Sequence, residues 1–240
     1  MNNLILPTSE TILNRGEGKY YPGHIEFLNE LSFPQVLDLQ ERVMGTMTDP
    51  DMLESLSPQE FLTILQGGGV AAGMLVGDQL VAFLATLFPG KREENLGHDI
   101  DLPEEALPLV VHFESSFVHP NYVGNNLQIR LSEIVLDKVK SFQSYRYLLG
   151  TVSPRNCHCL KTVFAIPALV IRLEWKYQNR LRFIFFQDLV SPRVLDPDSE
   201  RAVVMTDLKR QLKLMEQGYC GFRLDKGEGT PRIVYARERK

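Results

Sequence analysis

Two side chains able to carry a proton, His112 and Glu114, stand two places apart in the apolar run VVHFESSFV that begins at Val110. Alternation along a strand puts both on one face, where they could serve a common reactant. The run ends in a short turn holding Pro120, Gly124, Asn125 and Asn126. That turn opens a helix whose inward residues are Leu127, Leu131, Ile134 or Val135, and Val139. The leading N–H groups of a helix have no acceptor inside it and carry partial positive charge, so a strand, turn and helix of this kind can grip an anion without any lysine. Glycine at position 124 lets the main chain come close. Plainer readings stand beside these: Glu114 as partner of a basic group, His112 as a hydrogen-bonded core residue.

The surrounding elements follow from patterning. Ser57, Pro58 and Glu60 form a capping box ahead of Phe61, Ile64 and Leu65, and Gly67 to Gly69 stop that helix. Ser32 to Gln35 resembles a second box, opening a helix with Val36, Leu39 and Val43 on one side. Val70–Val76 and Gln79–Leu87 read as strands joined by the hairpin pair Gly77 and Asp78. Tyr147–Val152 is a further strand, followed by Ser153 to Asn156 and a helix from Cys157 that Pro167 breaks. Val170–Trp175 and Arg180–Phe186 are strands with Gln178 and Asn179 as their tight turn. Gly67, Gly69 and Ala72 match a dinucleotide fingerprint in spacing, but a helix precedes them and a strand follows, the reverse of the order that fingerprint needs.

This order of residues resembles the GNAT superfamily of N-acetyltransferases over roughly residues 22 to 190. Val123, Gly124, Asn125, Asn126, Leu127 and Gln128 lie on the family's coenzyme A loop. Val123 stands where arginine or glutamine is usual, Asn126 where the middle glycine belongs, and Gln128 where glycine or alanine is common. The resemblance implies an α/β fold (an α+β mixed sheet): a central, mostly antiparallel twisted sheet with splayed strands, flanked by helices. It implies acetyl-CoA as cofactor and acetyl transfer to a primary amine of a small molecule or peptide. Glu114 would be the base, directly or through water, with His112 as its neighbour. The backbone of Phe117 and Val118 would hold the pantetheine amides, and the amides of Gly124 to Gln128 the diphosphate. Asn156 would contact the pantetheine arm, and its role as cap of the next helix is equally good physics. The family's tyrosine acid is replaced by Val163, with Tyr122, Tyr145 and Tyr147 nearby in sequence but unassigned. A non-catalytic module that binds acyl-coenzyme A as a sensor or scaffold is the alternative.

Residues 1–21 form a polar arm, 22–190 the acetyltransferase-like domain, and 191–240 an extension. The extension is expected to pack on the domain, bordering the acceptor site or forming a homodimer contact. It carries a helix from Asp207 to Gln217 with Leu208, Leu212 and Met215 inward, Gly218 as stop, and short strands Tyr219–Leu224 and Ile233–Ala236. Pro89 to Pro108 is rich in acidic residues and reads as a solvated surface loop, or as a lure for a cationic amine.

Composition sets limits. With 240 residues, 44% hydrophobic and 23% charged, the chain can bury a sizeable core. A net charge of -4 gives no general attraction to nucleic acid or an anionic membrane surface. No apolar run approaches the ~18 residues that span a bilayer, and the first residues lack a secretion signal, so a cytoplasmic location is expected. Three cysteines, an odd number, fit free thiols in a reducing compartment. Cys157, His158 and Cys159 could each ligate zinc, but adjacent residues diverge and no second cluster completes a site, so no metal is expected.

Overall fold

A computed structural model of the chain describes residues 9–49, 52–177, 179–227 and 229–239. They gather into two units, one of residues 9–49, 54–89 and 111–145, the other of 52–53, 90–110 and 146–239. Among the described residues no helix is long and apolar enough to cross a membrane.

The first unit is built on five strands in chain order, each antiparallel to the next: β1 (Glu10–Asn14), β2 (Lys19–Phe27), β3 (Gly69–Val76), β4 (Gln79–Leu87) and β5 (Val110–Val118). Within the stretch read as a polar arm, whose structure the sequence left open, residues 10–14 and 19–21 are strand; residues 1–8 lie outside the described residues. The alternation was obscured because one of the inward residues is polar: Asn14 is buried along with Ile12. Helix α1 (Phe33–Met44) buries Val36 and Leu39. Ser32 does not cap it, being already in helical conformation; the cap lies one turn earlier, where the Asn29 side chain accepts from the Leu31 amide at 2.9 Å. In α2 (Pro58–Thr63) both halves of the expected box form, the Glu60 amide donating to Ser57 Oγ at 3.3 Å and the Ser57 amide to Glu60 Oε2 at 2.7 Å. This cap presents Phe61 to the core, edge-on to Phe83 at 5.7 Å and to Phe117 at 6.1 Å between ring centroids. Helix α3 (Leu127–Ser141) packs on β3 and β4 and buries Leu127, Leu131, Val135, Leu136 and Val139.

The second unit has strands β6 (Tyr147–Val152), β7 (Leu169–Lys176), β8 (Arg180–Asp188), β9 (Arg201–Val204), β10 (Tyr219–Asp225) and β11 (Arg232–Arg237), in the antiparallel order β6-β8-β7-β10-β11-β9. The β7 to β8 turn carries Tyr177 and Asn179 at positive φ, while Gln178 lies outside the described residues. Helices α4 (Cys157–Ala165) and α5 (Leu208–Glu216) complete it.

Two expectations are corrected here. The connection from Pro89 to Pro108 is anchored rather than solvated. Asn95, 1% exposed, donates to the carbonyls of Gly90 (2.6 Å) and Leu107 (3.1 Å) and accepts from the Gly97 amide (2.8 Å). Leu96 joins Leu149, Ile184 and Phe186 in a buried cluster. Asp99 and Asp101, part of the acidic lure, are already paired with Lys176 at 2.8 Å and Arg172 at 2.5 Å. In α5 the inward residue is Gln211 and not Leu212, which is 40% exposed. The Gln211 amide group donates to the carbonyls of Val204 and Met205 and accepts from the Tyr235 hydroxyl at 2.7 Å. Buried main-chain carbonyls must be paired, and that demand outranked the apolar pattern.

Asp188, at the end of β8, accepts two bonds from Arg146 at 2.9 and 3.0 Å and one each from the amides of Val190 and Ser191. Burial pushes its carboxyl up, but these hydrogen bonds outweigh it and hold the group below the usual carboxylate range. A carboxyl depressed by folding adds stability above its unfolded pKa of about 3.9, and that stability is lost as pH falls through the lower folded value. Arg146→Gln should therefore move the acid-unfolding midpoint of this unit to higher pH, read by circular dichroism against pH. An unmoved midpoint would remove Arg146 from the account.

Candidate active site

The turn before α3 takes the shape an anion loop requires. Gly124 has φ +85 and Asn126 φ 56, ψ 26, so two left-handed residues turn the chain into the helix. The positive φ is what favours glycine at position 124, where the Arg15 guanidinium comes close to the main chain. Asn126 sits at the N-cap yet makes no capping bond with its side chain, which leaves the helix start open to an outside acceptor.

What holds the loop comes from the first hairpin. Asn125 Oδ1 accepts from the Leu13 amide at 3.1 Å, and its Nδ2 donates to the carbonyls of Leu13 (2.9 Å) and Tyr122 (2.8 Å). The Arg15 amide donates to the Asn121 carbonyl at 2.7 Å and its Nε to the Val123 carbonyl, also at 2.7 Å. Asn14 Nδ2 donates to the buried Tyr122 hydroxyl at 3.2 Å. Each of these bonds enlists a carbonyl or side chain of the loop; none consumes the main-chain N–H of Gly124, Leu127 or Gln128. Arg15 is exposed, and its guanidinium lies against the loop where Val123 supplies no charge. Sequence reasoning missed Arg15, because it stands 108 positions from Val123 and nothing local marks it.

On β5 the ladder slips beside the candidate base. Ala85 faces Ser115 and Thr86 faces Phe113, so Glu114 is the extra residue of a β-bulge. A bulge leaves a residue without ladder partners and re-aims its side chain. His112 is buried and Glu114 partly buried, with 3.5 Å between Nδ1 and Oε2, so the structure brings the two expected proton carriers together. Just beyond them the hydroxyls of Ser115 and Ser116 are buried without a hydrogen-bond partner among the described residues, a feature the sequence did not mark. Phe117 and Val118 pair with Phe83 and Ala82 of β4, and Phe117 stacks on Phe83 at 5.7 Å.

The remaining sequence candidates lie elsewhere in the chain. Asn156 caps α4, its Oδ1 accepting from the Cys159 amide at 2.9 Å. Cys157 Sγ contacts Met205 Sδ at 3.1 Å, and burial pushes the Cys159 thiol up to about 12. Val163 is buried in α4. Tyr145 stacks on Phe88 at 4.2 Å between centroids and Tyr147 on Phe186 at 5.9 Å, so both serve in packing.

Neither a family profile nor a curated protein sequence matches the chain. Solved structures match it by shape. An N-acetyltransferase from Staphylococcus aureus Mu50 aligns with a TM-score of 0.52 at 16% identity, over 70% of this chain and 99% of that one. Arabidopsis thaliana NAA60, solved in complex with acetyl-CoA, gives 0.56 at 13% identity over 70% and 99%. The ribosomal-protein-S18-alanine N-acetyltransferase from Escherichia coli gives 0.51 at 13% identity over 70% and 94%. The chain has the fold of the GNAT N-acetyltransferases, an α/β architecture with a mixed sheet flanked by helices.

Proposed function

We propose that this chain is an acetyl-CoA-dependent N-acetyltransferase acting on a primary amine of a small molecule or peptide. The observation that carries the reading is the turn at Gly124 to Gln128: two left-handed residues, a fifteen-residue helix whose N-cap side chain makes no capping bond, and the Arg15 cation alongside. Amides of this kind, with the helix dipole behind them, suit the diphosphate of coenzyme A. The bound cofactor supplies an activated acetyl thioester. An amine is mostly protonated near neutral pH and has to lose that proton before it can attack; we assign its acceptance to Glu114, 3.5 Å from His112, directly or through water. The thiolate that leaves is protonated by solvent, since no tyrosine stands at Val163. The bulge that sets Glu114 outside the β4 ladder supports its assignment as the base.

Calorimetry with acetyl-CoA, followed by release of free thiol across a panel of amines, tests both halves of the reading. Absence of binding sinks it; binding without turnover on any amine leaves a non-catalytic acyl-CoA-binding module. Arg15→Ala should weaken acetyl-CoA binding about tenfold, with a larger loss at low ionic strength, because a charge-assisted contact to phosphate is removed. Equal affinities at every salt concentration would take Arg15 out of the site. Asn126→Gly should tighten binding a few-fold, since glycine holds the left-handed turn without strain and clears space beside the phosphates. Unchanged affinity would count against this account of the loop.

A further inference from the structure

Within the second unit a groove of about 630 Å³ is lined by residues 100–102, by β7, by α5 and by the start of β10. Its apolar walls include Ile100, Leu102, Leu173, Leu212 and Met215. Leu212, left exposed because Gln211 takes the inward place on α5, offers this surface to solvent. Four charged side chains share the lining, and they do not cancel. Arg172 Nη2 lies 2.5 Å from Asp101 Oδ2, and Arg193 Nε lies 3.7 Å from Glu238 Oε2, so each cation is answered by a carboxylate outside the lining. Glu174, partly buried on β7, and Glu216, exposed on α5, make no hydrogen bond or ion pair with the described residues. Helix α5 also ends at Glu216, and the carbonyl end of a helix carries partial negative charge.

These features narrow the guest. A carboxylate held partly out of water loses solvation, and a cation set against it restores the balance. A small, wholly polar cation would leave the apolar walls wet, and a fatty acid would meet Glu174 with like charge. The volume falls in the range of small-molecule sites. We propose that this groove binds an aliphatic ammonium ion, its head on Glu174 and its chain among Ile100, Leu102 and Leu212. The site lies wholly in the second unit. It goes beyond acetyl transfer and does not depend on it.

The test measures binding of octylammonium, octanol and octanoate to the full chain by calorimetry or ligand-observed NMR, each below its self-association concentration and near neutral pH. Octylammonium should bind saturably and about tenfold more tightly than octanol, with octanoate weakest, and the margin should shrink as salt rises. Butylammonium, shorter by four methylenes, should bind at least tenfold more weakly than octylammonium. Glu174→Gln keeps the shape of the side chain and should bring octylammonium down to the affinity of octanol. Leu212→Lys sets a cation at the mouth of the groove on an exposed helical position, and should abolish octylammonium binding. No saturable binding, an affinity no better than that of octanol, or a preference that survives Glu174→Gln each overturns the proposal. So does octylammonium binding that Leu212→Lys leaves unchanged, which would place the amine at another site. The readout is binding without acetyl-CoA, so failure here leaves the acetyltransferase reading untouched.

Discussion

Glu114→Gln should lower kcat about 100-fold and leave acetyl-CoA affinity near its starting value. Glutamine keeps the size of the side chain and its ability to hydrogen bond to His112, 3.5 Å away, but it cannot accept a proton from an ammonium group. A positioned general base contributes roughly 10² to 10⁴ in rate, so 100-fold, about 2.7 kcal/mol of barrier, is the modest end of the loss. Single-turnover thiol release against pH gives the further signature: the acid limb of the rate profile should disappear with the carboxylate. The bulge makes this a clean replacement, since residue 114 faces no partner in the β4 ladder and the strand needs no repacking. Unaltered kcat and an unaltered pH profile would pass the role to His112, which its own substitution would then reveal.

The second large effect is structural. Phe61→Ala should cost about 3–5 kcal/mol of unfolding free energy, read from the urea midpoint at constant slope. Phe61 is fully buried and meets both Phe83 and Phe117, which stack on one another at 5.7 Å. Removing the ring leaves a void beneath Phe117, on the strand that also carries the candidate base, so cofactor affinity should fall along with stability. Phe61→Leu, which refills most of the space, should cost far less. A loss under about 1 kcal/mol for alanine would mean that the site closes over the gap and that this aromatic trio does not position β5.

What could be read from the sequence was what is local. Ser57 and Glu60 satisfy each other within one helical turn, the pair Gly77 and Asp78 closes its own hairpin, and the run from Val110 into Leu127 alternates and then turns helical in the pattern its residues dictate. The left-handed turn at Gly124 and Asn126 was legible for the same reason. Long-range polar satisfaction was not. Asn95 looks like one more polar loop residue until its three partners are seen, and Gln211 breaks an apolar stripe because carbonyls of Val204 and Met205 wait opposite. Ser32 carries the right letters for a cap and the wrong backbone, since the short turn before it already continues into the helix. The Glu114 bulge left no trace in the alternation of residue types. Arg15 reached the site only through the fold.

The lacing of Asn125 to Leu13 orders events while the chain is being made. The two are separated by 112 positions, so β1 leaves the ribosome long before its loop exists. During that interval its outer edge has to wait unclaimed, with the exposed polar residue Thr11 along the strand. An appended partner that captured this edge would therefore disturb the proposed diphosphate loop without touching any residue between 120 and 130.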